Sequence, residues 1–283
     1  MDISIVVCTK DRASQLPQML ASLRHLKAPG IEWEVIFVNN ASSDGTAHIL
    51  EEFCTSFSTP ARVIYESEKG LSAARNAGWK ASNAPIVSFT DDDCYPQEDW
   101  LLMVQRAFQE TGIDYVGGRV LLFDAQDAPV TIQISEDRYI IQKNSHIESG
   151  YIIGANFSCT RKMLLAMGGF DRRLGAGTPL RAAEDTDLLV RASLSGFQGR
   201  YEPALVVYHH HRRRLETEVK KLYSGYACGR GALSMKTILE SNAKELYLKN
   251  WYWRIRRLVR ERKFNECLDE LKGALRFIAV SKF

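Results

Sequence analysis

The chain has 283 residues, 45% of them hydrophobic and 25% charged, with a formal net charge of +3. That is a globular composition, long enough for one large α/β domain or for one domain plus an appendage; it excludes disorder and gives no global electrostatic case for nucleic acid. The six cysteines are scattered without a CxxC pair, which points to reduced thiols. Met1–Asp2 and the short apolar run behind it lack the cationic start and the length of a secretory leader. No apolar segment approaches the roughly 18–20 residues that span a bilayer, so the expectation is a soluble, cytoplasmic protein.

Ile3–Cys8 reads as a strand, and Thr9–Arg12 turns out of it into a segment whose Leu16, Met19, Leu20, Leu23 and Leu26 share one helical face. Trp33–Val38 is a second strand. Its loop, Asn39–Thr46, is rich in caps and turn formers and leads into a helix with Ile49, Leu50 and Phe53 inward. Arg62–Tyr65, a small-residue helix opening at Gly70, and the strand Ile86–Thr90 continue the pattern, and Trp100, Leu101, Val104 and Phe108 mark the next helix. This βαβα alternation predicts a mainly parallel, doubly wound sheet.

The second half is less regular. It offers a strand near Tyr115–Leu122, a weakly patterned stretch to about Gly150, a buried strand over Tyr151–Cys159 and a short helix over Arg161–Met167. A loop rich in Gly and Pro, Leu174–Leu180, is of the kind that lies over a site, and a helix starts near Ala183. Tyr201–Tyr208 is the last strand, closed by His209–Arg214, and from about Leu215 the chain reads as helix. A boundary is therefore expected there, with domains over 1–214 and 215–283.

The apolar run Ile86–Thr90 opens into Asp91, Asp92 and Asp93. Alternate carboxylates at a strand end can hold a hard divalent ion that is shared with a substrate diphosphate, the usual way Mg²⁺ or Mn²⁺ meets phosphates. The plain alternative is an acidic loop that is only solvated or caps the following helix. Glu184–Asp185–Thr186–Asp187 sits at a helix start, where capping is again the simple reading; Asp187, four residues before Arg191, suits an intrahelical ion pair.

In their order along residues 1–215, six motifs resemble the nucleotide-sugar-dependent glycosyltransferases of family 2: Val7–Arg12, Asn39–Thr46, Gly70–Asn76, Asp91–Asp93, Gly154–Asn156 and Glu184–Asp185. The resemblance implies the GT-A fold, an α/β architecture with a Rossmann-like mixed sheet, here followed by a helical C-terminal appendage. It implies a metal-dependent inverting transfer of sugar from a nucleoside-diphosphate sugar to a hydroxyl acceptor, in cell-surface polysaccharide, lipid-linked glycan or glycolipid synthesis.

On the donor side it places Thr9, Asp11, Arg12, Asn39, Arg75, Asp91, Asp92 and Asn156. Asp93 becomes the metal ligand, with Asp91 beside it and His209 or His211 completing the site; the two histidines share a facing in an extended chain. The general base falls to Asp185, with Glu184 next to it. Asn39 stands where the family usually has an acid that contacts the base, which leaves the nucleotide open. The processive members' QxxRW motif is missing, so one sugar per encounter is expected.

Two other readings stand beside this one: a Mg²⁺-dependent phosphohydrolase, since a strand ending in Asp-x-Asp can present a nucleophile, and a non-catalytic binder of nucleotide sugars or carbohydrate. No GxGxxG follows the first strand and no P-loop motif occurs. Near the C-terminus, Trp251, Ile255, Leu258 and Val259 share one helical face among five arginines. Packing on the protein's own body is the leading expectation for it, and peripheral contact with an anionic membrane is the alternative.

Overall fold

A computed structural model describes residues 1–281. Four strands, β1 (Ile3–Thr9), β2 (Trp33–Asn39), β3 (Ala61–Tyr65) and β4 (Ile86–Asp91), lie parallel in the order β3-β2-β1-β4. Each connection carries a helix, α1 (Leu16–Arg24), α2 (Thr46–Ser56) or α3 (Leu71–Ala81), as parallel neighbours require. With helices on both faces, β1 and β2 are buried throughout their centres, which explains their nearly unbroken apolar sequence. One core, with Leu16, Phe37, Leu50 and Trp100, lies on one face; the other face carries Val6, Ile36, Phe89, Phe157 and Leu188.

Beyond β4 the sheet becomes mixed, so the parallel arrangement expected from the sequence holds for the first half only. The elements are β5 (Cys94–Pro96), α4 (Trp100–Gln109), β6 (Tyr115–Leu122), β7 (Tyr139–Ile141), β8 (Phe157–Thr160), α5 (Arg161–Met167), α6 (Glu184–Leu194) and β9 (Gly199–His209). Strand β8 runs antiparallel to β4 and β6, β6 runs parallel to β9, and β5 and β7 pair antiparallel with β9. The strand expected over Tyr151–Cys159 is shorter: Gly154–Asn156 forms a single 3-10 turn, and only Phe157–Thr160 joins the sheet.

Three helices complete the chain: α7 (Glu216–Glu240), α8 (Lys244–Arg260) and α9 (Phe264–Val280). Helices α7 and α9 touch backbone to backbone. A Cβ on Gly231 would lie 1.8 Å from the Glu270 carbonyl oxygen, and one on Gly273 would lie 1.9 Å from that of Cys228. Helix α7 is tied to the α/β body through Lys236, whose ammonium lies 2.6 Å from Asp171 and 2.5 Å from Asp187. Leu233 and Tyr247 enter the same core as Phe89.

The anticipated Asp187–Arg191 pair is present at 2.8 Å, so Asp187 serves two cations. The apolar face foreseen on α8 turns partly inward: Leu258 is buried, and the Trp251 indole N–H donates to Glu270 at 3.1 Å. Among the described residues no helix is long and apolar enough to cross a membrane.

Candidate active site

The parallel strands end on one side of the sheet, and the loops there enclose a cleft of about 760 Å³. Thr9, Arg12, Arg75, Asp91, Asp92, Asp93, Glu184, Asp185 and His209, all expected from the sequence, line it together. The three aspartates occupy the tight turn from β4 into β5, so they are fixed by strand pairing on both sides. Cys8 of β1 pairs with Asp91, and Cys94 of β5 pairs with His209 of β9.

That second pairing brings His209 to the triad, its Nε2 3.3 Å from Asp93 Oδ1. The Thr131 carbonyl, 3.3 Å from Nδ1, can take the proton on that nitrogen and so orients Nε2 toward Asp93. Burial alone would raise Asp93, but the hydrogen bond and charge of His209, helped by Arg12, hold its carboxyl below the usual range. His209 shifts the opposite way, above its ordinary value, because Asp93 outweighs the cost of burial. Asp92, beside Arg12, is pushed up to about 7 by burial and by the negative charge of Asp93.

Asp93 and His209 bring a carboxylate oxygen and an imidazole nitrogen together, donors that suit a hard divalent ion; Asp91, held by Arg75, stands outside that group. Cys94 offers a sulfur near Asp93 and His209, a soft donor less suited to Mn²⁺ or Mg²⁺ than oxygen or imidazole. His211 does not join the group. One ring nitrogen lies 3.1 Å from the Ala128 carbonyl, the other accepts the Arg213 N–H at 3.0 Å, and the residue is buried beside Asp127. The two rings do keep a shared side, 5.1 Å between centres, but both nitrogens of His211 are taken up by backbone groups while Nε2 of His209 faces Asp93.

Arg75 is the structural link between the acids. Its guanidinium, 3% exposed, donates to Asp91 at 3.1 Å and to Glu184 at 2.9 Å. Gly154 makes this possible, since a Cβ there would lie 2.7 Å from Arg75 Nη2. The Gly154 N–H in turn donates to Asp185 Oδ2 at 3.0 Å, while Asp185 Oδ1 receives the Thr186 N–H at 2.6 Å. The 3-10 turn that interrupts the expected strand thus aims a glycine at both Arg75 and Asp185.

Asn156, two residues on and expected on the donor side, is not among the residues that line the cleft. Its side chain is buried, accepts the Trp100 indole N–H and donates to the carbonyls of Arg119 and Leu205, which holds α4, β6 and β9 together. Asn39 and Asp11 are likewise engaged in loop structure: Asn39 accepts the Ser42 N–H and Asp11 that of Ser43, joining the turns after β1 and β2. It is Asn40, not Asn39, that lines the cleft, its amide donating to the carbonyls of Glu66 and Glu68 and accepting the Gly70 N–H.

Helix α7 supplies residues that sequence reasoning missed. Leu222, Tyr223, Tyr226 and Arg230 form one wall, reached because Gly229 lies so close to Ala182 that a Cβ would meet it at 2.8 Å. The small residues Gly225, Ala227, Cys228 and Gly229 were the available signal, though nothing in them names the partner. The loop before α6 does lie over the site, as foreseen: Ala176, Gly177 and Arg181 to Ala183 line the cleft, and Ser72 donates to the Leu174 carbonyl at 2.7 Å.

Glu184 is raised to about 7 by burial first and by neighbouring Asp185 second, against the pull of Arg75. An acid whose folded pKa lies above its ordinary 4.5 favours the fold only while protonated, so its contribution falls as pH climbs from 4.5 through 7. Glu184→Gln removes that slope. In paired melting curves from pH 5 to 8, the variant is expected to gain on the wild type as pH rises, by at most about 1.4 kcal/mol per unit. Asp92 titrates in both proteins and cancels; a difference that stays flat with pH would contradict the assignment.

A half-parallel, half-mixed sheet with an Asp-rich turn at the central strand end and a carboxylate at a helix start across the cleft is the GT-A glycosyltransferase architecture. Residues 4–167 match the family model described as glycosyl transferase family 2, and the chain belongs to that family. It is 27% identical to the pre-mycofactocin glycosyltransferase of Mycobacterium tuberculosis over 238 residues, 80% of this chain and 47% of that protein. It is 32% identical to the glycosyltransferase AglE of Haloferax volcanii over 118 residues, 42% of this chain and 39% of that protein. The chain therefore spans less than half the length of these relatives.

Among solved structures, the mannosyltransferase PcManGT of Pyrobaculum calidifontis, in complex with GDP-Man and Mn²⁺, aligns over 98% of this chain and 86% of its own with a TM-score of 0.67 and 14% identity. S. aureus TarS 1–349 in complex with UDP-GlcNAc aligns over 87% of this chain and 69% of its own with a TM-score of 0.66 and 18% identity. At those identities the likeness speaks for the fold.

Proposed function

We propose that this chain transfers a sugar, with inversion, from a nucleoside-diphosphate donor to a hydroxyl acceptor, with Mn²⁺ or Mg²⁺ held by Asp93 and His209. The observation that carries the reading is that Asp185 and the aspartate turn line one cleft, with Arg75 tying Asp91 to Glu184, the neighbour of Asp185. A volume of about 760 Å³ is ample for a nucleotide sugar and the acceptor group beside it.

Asp185, oriented by two backbone N–H groups, takes the proton of the acceptor hydroxyl as its oxygen bonds to the anomeric carbon and the bond from that carbon to the diphosphate oxygen breaks. The cation, when bound, neutralises charge that develops on the departing diphosphate. Lys10, Arg12, Lys69, Arg181 and Arg213 line the same cleft and favour an anionic donor. The Thr9 hydroxyl, buried without a hydrogen-bond partner, is available to it.

The acceptor is read as a glycan or lipid-linked hydroxyl in cell-surface assembly, which the family resemblance supports. Six free cysteines suit a reducing, cytoplasmic setting. The phosphohydrolase alternative is disfavoured because its nucleophile would be Asp91, whose Oδ1 is bound by Arg75.

The test is a thermal-shift panel of UDP, GDP, TDP and CDP, each with Mn²⁺, Mg²⁺ or chelator. One nucleoside diphosphate with metal is expected to stabilise the wild type by about 2.7 kcal/mol at a hundredfold excess over Kd, and to lose that effect in Asp93→Ala. No stabilisation by any of them would remove the nucleotide-sugar reading.

A further inference from the structure

The small net charge of the whole chain conceals a strong asymmetry. Residues 244–263 hold eight Lys and Arg against Glu245 and Glu261, a net +6, which leaves −3 for everything else within the total of +3. Part of this charge is spent internally: Arg254 pairs with Glu266 and Glu270, and Lys263 with Glu261. Arg256, Arg257 and Arg260 are exposed on α8 and enter no ion pair among the described residues. Beside them Tyr252 and Trp253 are each 54% exposed, with the Arg256 guanidinium 5.0 Å from the Trp253 ring centre.

The turn after α8 runs into an apolar stripe on α9. Phe264, Leu268, Leu271 and Leu275 recur at helical spacing on the outer face and are between 41% and 67% exposed. The opposite face of α9, with Gly273, Ala274 and Phe277, is the one buried in the protein. Helix α9 is therefore apolar on two sides and has only one of them covered.

We propose that the outer surface of α8 and α9 docks this chain on an anionic phospholipid bilayer. Basic side chains next to exposed Trp and Tyr suit the headgroup layer, and the leucine stripe suits the boundary with the acyl chains. A second copy of the chain is the less favourable occupant, because pairing these faces would set one basic α8 against another. The surface also adjoins the site: a second cavity of about 810 Å³, lined by Trp253, Arg256, Arg257 and Arg260, shares Ser149 and Arg230 with the catalytic cleft.

Flotation with vesicles of phosphatidylcholine alone or mixed with phosphatidylglycerol tests this. The wild type is expected to float with the anionic vesicles only, and less so in high salt. R256Q/R257Q/R260Q should lower partitioning about a hundredfold, from roughly fivefold per basic residue, and L268S/L271S at least about tenfold. These side chains are exposed, so melting temperatures and the nucleotide shift should stay as in the wild type, and Asp93→Ala should float normally; failure here is thus separable from failure of the transferase reading. Equal binding to both vesicle types, or none, overturns the proposal. So does a dimer in light scattering that L268S/L271S dissolves, since the stripe would then belong to a second copy.

Discussion

Asp185→Asn is expected to bind the nucleoside diphosphate as the wild type does and to transfer sugar about a thousandfold more slowly, within the range a general base supplies. The expectation rests on how the carboxylate is held. Oδ2 receives the Gly154 N–H alone and keeps a lone pair free, while Oδ1 receives both the N–H and the hydroxyl of Thr186, so the carboxylate is fixed with one oxygen open. An asparagine can accept at only one of the two positions, and its nitrogen cannot accept a proton. The fold should lose only about 1 kcal/mol, the net worth of one such bond. Turnover with nucleotide and acceptor, alongside the nucleotide thermal shift on the same sample, decides the matter. Transfer within tenfold of wild type would strip Asp185 of the role and turn attention to Glu184, which lines the same cleft but is bonded to Arg75.

Much of this site was legible because strand ends in an α/β sheet converge, so motifs that follow β1, β2 and β4 must meet whatever the loops do. The aspartate turn is the clearest instance: its strand is read from β-branched and aromatic residues, its position from topology. What stayed hidden depends on contacts between distant segments. His209 and His211 look equivalent in an extended chain and their rings do lie side by side; only the partners, Asp93 for one and the Ala128 and Arg213 backbone for the other, tell them apart. Asn156 sits inside a motif, yet its amide is spent on Trp100 and two backbone carbonyls. Strands β5 and β7 have three residues each, too few for a period of two to register. Helix α7 reads as an appendage, whereas Tyr226 and Arg230 wall the cleft, because the small side chains that allow the approach carry no record of what they approach.

The largest expected loss of stability comes from Arg75→Leu. Arg75 is a buried cation placed between Asp91 and Glu184, and removing it leaves two carboxylates facing each other with no compensating charge. Breaking a buried pair from one side typically costs about 3–5 kcal/mol, most of it the burden of the stranded partner rather than the worth of the pair. Lysine should recover only part of this, since a single ammonium lacks the planar fork that reaches both acids at once. The stranded charge can be relieved separately: Glu184→Gln removes it without removing the side chain. The double variant R75L/E184Q should therefore be more stable than R75L alone, a non-additivity that a simple loss of packing would not produce. Denaturant midpoints for the four proteins at pH 8, where Glu184 is ionised in the wild type, give the coupling directly. Strict additivity would mean that Arg75 acts through shape, and that the acids on either side of it are held apart by something other than its charge.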